Sequence, residues 1–294
     1  MQPSRISVLL LVLLLSFQGK AQLKIDPTHK DMIYATVPGK DLKLDLYLPS
    51  AISNPVLLVW VHGGAWRSGS KESVPTFFVE NGVAVASLDF RQSTEARFPA
   101  NIFDIKAAIR FLRAKASGYG YRKDRIAIAG SSSGGHLATL VGVSNKNSEL
   151  EGAVGNYLEE SSDVHAIIDY FGASNLTTIL SQSTPHGLNV RKPALELLLG
   201  SLPDQGPELA RLASPVFQVD KSDPPLLIFH GDQDPQMPIN QSHEIEGKYR
   251  ELDLDVHFEV IHGSAHGGDV FFSGEYAKLA VDFLRRTISE DKRK

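Results

Sequence analysis

The chain has 294 residues, of which 42% are hydrophobic and 22% are charged, a composition typical of a globular protein with a sizeable core. Its formal net charge is -4 and no basic cluster precedes the C-terminal tail, which argues against nucleic acid as a partner. The chain contains no cysteine, so the sequence excludes disulfides and thiolate metal sites.

The N-terminal segment is predicted to be a signal peptide. Arg5 precedes an apolar run over residues 6–15, and the small residues Gly19 and Ala21 stand where a signal peptidase reads. The run is shorter than the roughly 20 residues that span a membrane. We therefore expect cleavage that removes residues 1–21, no stable membrane span in the mature chain, and export to the periplasm or outside a bacterial cell. An uncleaved N-terminal anchor is the alternative.

Residues 22–294 are predicted to form one catalytic domain of the α/β class. The predicted strands are residues 33–37, 42–48, 56–61, 83–88, 125–129, 164–170, 226–229 and 256–260. The predicted helices end near residue 81, cover 101–117, begin behind Ser132, and cover 276–288. Alternating leucines over 42–48 indicate a half-exposed edge strand, whereas the continuous apolar run 56–61 indicates a strand buried on both faces. This order predicts a mostly parallel sheet with helices on both faces.

Residues 172–222 interrupt this pattern. Their prolines and glycines exclude one long helix, and the segment is expected to pass over the carboxyl edge of the sheet as a small cap. Tyr170, Phe171 and Asn175 stand at its start and are expected to wall a pocket there, although a loosely packed surface connection is the alternative.

Residues 130–134 read Gly-x-Ser-x-Gly between a predicted strand and a predicted helix. A serine at the apex of such a turn is exposed above the sheet edge, in a strained conformation that requires very small residues two positions before and after it. Ser132 is that serine. The N–H of Ser133, at the start of the helix, would face a developing oxyanion. A purely structural strand–helix turn is the alternative.

A second glycine-rich loop, residues 62–66, follows the buried strand 56–61. It stands at the carboxyl edge of the sheet, where open α/β sheets bind ligands. Paired with the serine turn, it is interpreted as an oxyanion loop that offers the backbone N–H groups of Gly64 and Ala65. Taken alone it is equally consistent with a simple turn in which His62 and Trp66 pack locally.

An acidic loop and a histidine loop follow later strands, which completes the chain order Ser, Asp, His used by α/β-hydrolases. Asp234 is preferred to Asp232 as the acid because it is farther from its strand, while Asp232 would bond backbone N–H groups of the loop. His266 is preferred to His262 as the base because glycines flank it. A metal held by the two histidines is disfavoured, since their four-residue spacing suits zinc mainly on a helix.

Two further histidines are expected to have structural roles. His136 is expected to make a local structural bond on the helix behind the serine, and His230 to end a strand.

Residues 62–66, 130–135, 230–234 and 266–268 resemble the motifs of the α/β-hydrolase superfamily. Within it the chain is similar, at residues 45–49, 98–99 and 170–172, to the BD-FAE-like group of acetylxylan and feruloyl esterases. One departure is Ala65, where many relatives carry a third glycine. The resemblance implies a Ser132 nucleophile, a His266 base and an Asp234 orienting acid. It further implies Gly64, Ala65 and Ser133 as oxyanion donors, and we expect Trp66, Tyr170 and Asn175 to contact substrate.

The same resemblance implies a secreted serine esterase that needs no metal or organic cofactor and acts on small esters or esterified plant polysaccharides. Two alternatives are kept. One is a serine peptidase of the prolyl-oligopeptidase type, which shares the Gly-x-Ser-x-Gly-Gly turn. The other is a catalytically silent binding protein on the same scaffold.

Overall fold

Eight β-strands form one sheet in the computed structural model, which describes residues 25–145 and 147–289. The strands are β1 (His29–Val37), β2 (Lys40–Tyr47), β3 (Leu57–Val61), β4 (Ala84–Leu88), β5 (Ile126–Ser131), β6 (Ile167–Tyr170), β7 (Leu226–Gly231) and β8 (Val256–Ile261). The predicted signal peptide, residues 1–21, lies outside the described residues.

The spatial order of the strands is β1-β2-β4-β3-β5-β6-β7-β8. The pairs β1–β2 and β2–β4 are antiparallel, and the five remaining pairs are parallel. This confirms the predicted α/β class. The chain leaves β3 to form β4 on one side and returns to form β5 on the other, so the loops that follow β3 and β5 lie side by side. Open α/β sheets bind ligands at such a switch point.

The prediction that residues 42–48 form a half-exposed edge strand was wrong. β1 takes the edge and β2 lies second in the sheet. Leu42, Leu44 and Leu46 are buried as expected, but Asp45 and Tyr47 on the opposite face are buried too. The Lys71 ammonium lies 2.8 Å from the Asp45 carboxylate, so a polar residue in an alternating pattern marks a buried ion pair here.

Helices cover both faces of the sheet, as the sequence predicts. They are α1 (Phe77–Glu80), α2 (Ala100–Tyr119), α3 (Ser133–Gly142), α4 (Ser148–Glu151), α5 (Ile179–Gln182), α6 (Pro185–Leu199), α7 (Pro207–Leu212), α8 (Asn240–Glu251) and α9 (Gly274–Leu284). α1 and α9 pack on one face, while α2, α3, α6 and α8 pack on the other. Successive β3 residues alternate between the two cores and all five are buried, which explains the continuous apolar run.

The segment 172–222 is more helical than its composition indicates. No helix spans it, but α6 runs for 15 residues and contains Pro193. Pro185 stands in the first turn, where a missing N–H costs nothing, and the Thr184 hydroxyl accepts the N–H of Gly187. Burial of the apolar face of α6, which includes Leu195 and Leu198, offsets the hydrogen bond that Pro193 cannot make.

The last helix is close to its predicted bounds. α9 ends at Leu284, and a π-helical turn, Arg285–Ser289, continues it. Within residues 25–145 and 147–289, no helix is long and apolar enough to cross a membrane.

Candidate active site

Ser132 occupies the turn between β5 and α3 with φ 55° and ψ −120°. Side chains disfavour this region of backbone space, at a cost of about 1–3 kcal/mol, so the surrounding structure must hold the residue there. The Ser132 N–H donates to the Tyr170 carbonyl at 2.8 Å, and the Ser132 carbonyl accepts the His136 N–H at 3.0 Å. The strained turn expected from the sequence is therefore present and is bonded on both sides.

Glycine is required on both sides of this turn. A Cβ added to Gly130 would lie 2.2 Å from the Gly134 carbonyl oxygen, and one added to Gly134 would lie 2.1 Å from the Val61 carbonyl oxygen. These contacts are with backbone atoms that no side-chain rotation can move. The two glycines let α3 begin directly against the ends of β3 and β5.

Ser132, His266 and Asp234 form one hydrogen-bonded row. The His266 Nδ1–H donates to Asp234 Oδ2 at 2.5 Å, and the Ser132 hydroxyl lies 2.8 Å from His266 Nε2. A carboxylate only accepts hydrogen bonds, so Nδ1 carries the proton and Nε2 is left free to accept the serine proton. The row joins residues 134 positions apart in the chain.

Asp234 is held as an anion inside the protein. Its side chain has no exposed surface, and Oδ1 accepts the backbone N–H groups of Gln236 and Met237, both at 2.8 Å. Burial raises the pKa of Asp234. Hydrogen bonds from His230, His266 and the Met237 backbone lower it by more than burial raises it, so the pKa lies well below its usual range. The carboxylate therefore stays charged and fixes the His266 ring.

The competing acid and base pair with each other at the surface. Asp232 accepts from His262 Nδ1 at 2.8 Å and from the Gly263 N–H at 2.7 Å, and the His262 side chain is 84% exposed. The two histidines thus bond different carboxylates. Within the part of the chain that the structure describes, no group of three His, Asp or Glu side chains is arranged to hold a metal ion.

His230 stands near the end of β7, as expected. The bond expected for His136 was local, but its two partners lie 70 and 77 positions away in the chain. The Trp66 indole N–H donates to His136 Nδ1 at 2.9 Å, and His136 Nε2–H donates to the Ala213 carbonyl at 2.7 Å. Burial lowers the pKa of His136 to about 4. His230 contacts the Ser242 hydroxyl at 2.7 Å through Nδ1. His136 therefore joins the glycine loop to the cap segment through a neutral imidazole.

The glycine loop bends sharply against the serine turn. Gly64, Ala65 and Trp66 are consecutive residues with positive φ, at 129°, 53° and 61°. A Cβ on Gly64 would lie 2.1 Å from the Ser68 carbonyl oxygen, so only glycine fits there. Ser133 is the first residue of α3, and its N–H consequently has no acceptor within the helix. These are the backbone groups that the sequence assigns to an oxyanion site.

A cleft of about 400 Å³ opens over Ser132 and His266. The remaining wall residues are Gly64, Ala65, Arg67, Ser68, Phe171, Val190, Arg191, Gln236 and Gly267. Phe171 was expected in a pocket wall, and its ring meets the His266 ring edge-on with centroids 4.8 Å apart. The serine turn, the glycine loop and the cap segment therefore share one small cavity.

The three side chains predicted to contact substrate do not reach this cleft. Trp66 is 1% exposed and turns inward to His136. Tyr170 has no exposed surface and stacks on Phe229 in the core, with centroids 4.9 Å apart. Asn175 is 6% exposed, and its amide donates to Glu244 at 2.6 Å. Each residue lies close in the chain to residues that line the cleft, but its own side chain points into the protein.

The structure adds wall residues that sequence reasoning did not identify. Val190 and Arg191 come from α6, Gln236 from the loop after Asp234, and Arg67 from the turn after the glycine loop. The α6 pair lies in the region expected to be irregular, so no helical register was available to show which residues face the sheet edge. Gln236 and Arg67 each stand within two residues of a recognised motif.

Comparison with known proteins agrees with this geometry. A model of the BD-FAE family matches residues 44–249. The chain belongs to the BD-FAE family. Among solved structures, this BD-FAE protein is similar to a truncated form of a carbohydrate esterase from gut microbiota, with TM-score 0.79, 31% identity, and coverage of 89% of this chain and 96% of that one.

Two further relatives match most of this chain. A bifunctional GH43-CE protein of Bacteroides eggerthii matches with TM-score 0.78 and 35% identity, over 87% of this chain and 35% of the other. Esterase LipC of Mycobacterium tuberculosis is 30% identical over 221 residues, which are 73% of this chain and 53% of LipC. The chain thus spans about half the length of such curated relatives.

Proposed function

We propose that this BD-FAE protein is an exported serine esterase that removes acyl groups, acetyl or feruloyl, from plant polysaccharides. The observation that carries the proposal is the row Ser132–His266–Asp234, with spacings of 2.8 and 2.5 Å, at the wall of a cleft that the glycine loop also lines. Acyl transfer needs a nucleophile, a base of fixed tautomer and oxyanion donors close together.

In the proposed first step, His266 Nε2 takes the Ser132 hydroxyl proton as Oγ attacks the ester carbonyl carbon. The carbonyl oxygen becomes an oxyanion and accepts backbone N–H groups of Gly64, Ala65 and Ser133, each such donor typically contributing about 100-fold or more in rate. His266 then gives its proton to the leaving alcohol, the ester C–O bond breaks, and an acyl-serine remains. Asp234 stabilises the transient imidazolium throughout.

In the second step, a water molecule replaces the alcohol. His266 takes a proton from the water as its oxygen attacks the acyl carbon, and the same N–H groups stabilise the second oxyanion. The proton returns to Ser132 Oγ as its bond to the acyl carbon breaks, which releases the carboxylic acid and restores the enzyme. Every proton transfer in this cycle uses His266 Nε2.

The substrate class is supported by two structural relatives, at 31% and 35% identity, whose names include carbohydrate esterase or its abbreviation CE. The cleft of about 400 Å³ lies in the range of sites for small ligands and suits one acyl group with one sugar unit.

Export is proposed from the signal-peptide pattern of residues 1–21. N-terminal sequencing of the periplasmic or secreted protein tests it, and we expect a chain that begins at Gln22.

The deciding experiment measures release of acetate and ferulate from arabinoxylan that carries both esters. We expect wild type to release at least one acid, Ser132→Ala to release neither, and the neighbouring Ser131→Ala to retain the activity. Equal release by wild type and Ser132→Ala would refute the mechanism. Turnover of small synthetic acetates without release from polysaccharide would retain the serine chemistry and refute the polysaccharide assignment.

Labelling with a fluorophosphonate separates the enzyme from a silent scaffold. We expect the probe to modify Ser132 in wild type and to leave Ser132→Ala unmodified. A wild-type protein that resists the probe and turns over no ester would be a binding protein on this fold.

A further inference from the structure

Arg191 is a buried cation in the wall of the active-site cleft. It lies on α6, is 1% exposed, and lines the same cavity as Ser132 and His266. Its Nε and Nη2 atoms are buried without a hydrogen-bond partner among the residues that the structure describes. Buried arginines are nearly always paired, so a guanidinium with two unmade bonds beside a catalytic row calls for an explanation.

The charge of Asp234 does not satisfy the hydrogen-bond donors of this arginine. Burial lowers the pKa of Arg191 to about 10, although the charge of Asp234 acts in the opposite direction, so the guanidinium is still protonated at neutral pH. Asp234 already accepts His266 and two backbone N–H groups. Its attraction holds Arg191 in the charged form without occupying the donors.

A second cation stands at the cleft wall. The exposed Arg67 lies at the cleft wall with Arg191, and no aspartate or glutamate is among the wall residues. The whole chain carries a net charge of -4, whereas both charged side chains in the cleft wall, Arg67 and Arg191, are cationic. A cleft lined by positive charge concentrates anions and repels cations.

We infer that Arg191 binds a carboxylate of the substrate, so that the preferred ester carries a negative charge close to the bond that is broken. The inference rests on the proposed esterase function. A guanidinium presents paired N–H donors that match a carboxylate bidentately, which fits two unpaired nitrogens on one side chain. Because both nitrogens are buried, binding requires the guanidinium to turn toward the cleft. The carboxylate has two chemical sources: a uronic acid on the alcohol side, or the free end of a dicarboxylic half-ester on the acyl side.

Two matched pairs of esters distinguish these sources. O-acetylated methyl glucuronide and O-acetylated methyl glucoside differ in charge on the alcohol side. The hemisuccinate and butyrate of 4-methylumbelliferone differ in charge on the acyl side. The measured quantity is the ratio of kcat/KM for the anionic member to that for the neutral member of each pair, with wild type, Arg191→Gln and Lys192→Gln.

We expect wild type to favour the anionic member of one pair. Arg191→Gln should lower that ratio about 10- to 100-fold, the value of one hydrogen-bonded charge, and mainly through KM. Lys192→Gln removes a charge from the neighbouring, exposed position of α6 and should leave the ratio unchanged. Arg191→Lys keeps the charge but loses the paired N–H donors of the guanidinium, so its ratio should lie between those of wild type and Arg191→Gln.

Three results would overturn the inference. One is a wild type without charge preference in both pairs. Another is an Arg191→Gln protein whose kcat falls equally for charged and neutral esters, which indicates a structural role. If Arg191→Gln does not fold, inhibition of the wild-type enzyme tests the inference instead. Glucuronate or succinate should compete with substrate. If neither carboxylate inhibits more strongly than glucose, the inference is overturned.

The proposed function and the Arg191 inference fail in different ways. If wild type turns over none of the four esters, both the esterase function and this inference are refuted. Turnover without charge preference refutes the inference alone.

Discussion

Replacing Asp234 by Asn tests the hydrogen-bonded row at its least accessible member. The asparagine side chain has nearly the same shape, and its oxygen can still accept the N–H groups of Gln236 and Met237, which lie 2.8 Å from Oδ1 in wild type. The amide NH2 then faces His266 Nδ1. Since that group donates where the carboxylate accepted, His266 must move its proton to Nε2 and present an N–H to the Ser132 hydroxyl.

An imidazole in that tautomer cannot take the serine proton. In serine proteases the same substitution lowers kcat about 10,000-fold, which corresponds to about 5.4 kcal/mol in activation free energy. We expect a loss of this order in kcat for 4-nitrophenyl acetate. KM should change little, because Asp234 is not among the residues that line the cleft.

Asp232→Asn is the matched control in the same loop. Its carboxylate pairs with His262, whose side chain is 84% exposed, and exposed ion pairs contribute about 0–1 kcal/mol, so kcat should stay within about fivefold of wild type. Thermal unfolding of both variants separates lost folding from lost chemistry. A folded Asp234→Asn enzyme with near wild-type kcat, or a large loss in Asp232→Asn instead, would refute the assignment of the acid.

Two further predictions concern stability. Burial lowers the pKa of His136 from 6.5 to about 4, so between these values the unfolded chain binds a proton that the folded chain excludes. Between pH 7 and pH 5 the free energy of unfolding of wild type should therefore fall by about 2 kcal/mol more than that of His136→Gln. Urea unfolding at both pH values measures the difference, and equal losses in the two proteins would contradict it. Gly134→Ala should destabilise the protein by about 3 kcal/mol, because its new methyl group clashes with the Val61 carbonyl. Gly118→Ala, in open space on α2, should stabilise it by about 0.5–1 kcal/mol. Thermal melts check both variants, and a wild-type melting temperature for Gly134→Ala would show that the turn can relax.

Sequence reasoning succeeded where one local pattern fixes the backbone. The Gly-x-Ser-x-Gly turn requires a strand before it and a helix after it, and the structure has β5 and α3 there. Asp234 and His266 lie 102 and 134 residues from Ser132, yet both follow parallel strands and therefore reach the same sheet edge. Asp234 was preferred to its neighbour for its distance from the strand, and His266 for its flanking glycines. In the structure Asp234 bonds His266, while Asp232 bonds His262.

It failed where side-chain direction depends on tertiary packing. Tyr170 ends β6 and points into the core, whereas the next residue, Phe171, lies outside the strand with φ 46° and faces the cleft. The sequence does not say which of the two residues faces the open side. Arg191 was missed for a related reason. The apolar face of α6 is stabilised by packing on the sheet despite Pro193, and a composition rich in proline and glycine hides that helix.

The backbone itself marks the site independently of any motif. Seven non-glycine residues among those that the structure describes have positive φ. Three are Asp or Asn, which tolerate this region because their short polar side chains bond locally. The other four are Ala65, Trp66, Ser132 and Phe171, residue types that do not favour it, and all belong to the loops around the cleft. Conformations that cost about 1–3 kcal/mol each persist only where the surroundings enforce them. Here the enforcing contacts are the bonds from the Ser132 N–H to the Tyr170 carbonyl and from the Trp66 indole to His136. Two of the residues that were predicted to contact substrate thus hold the strained loops in place.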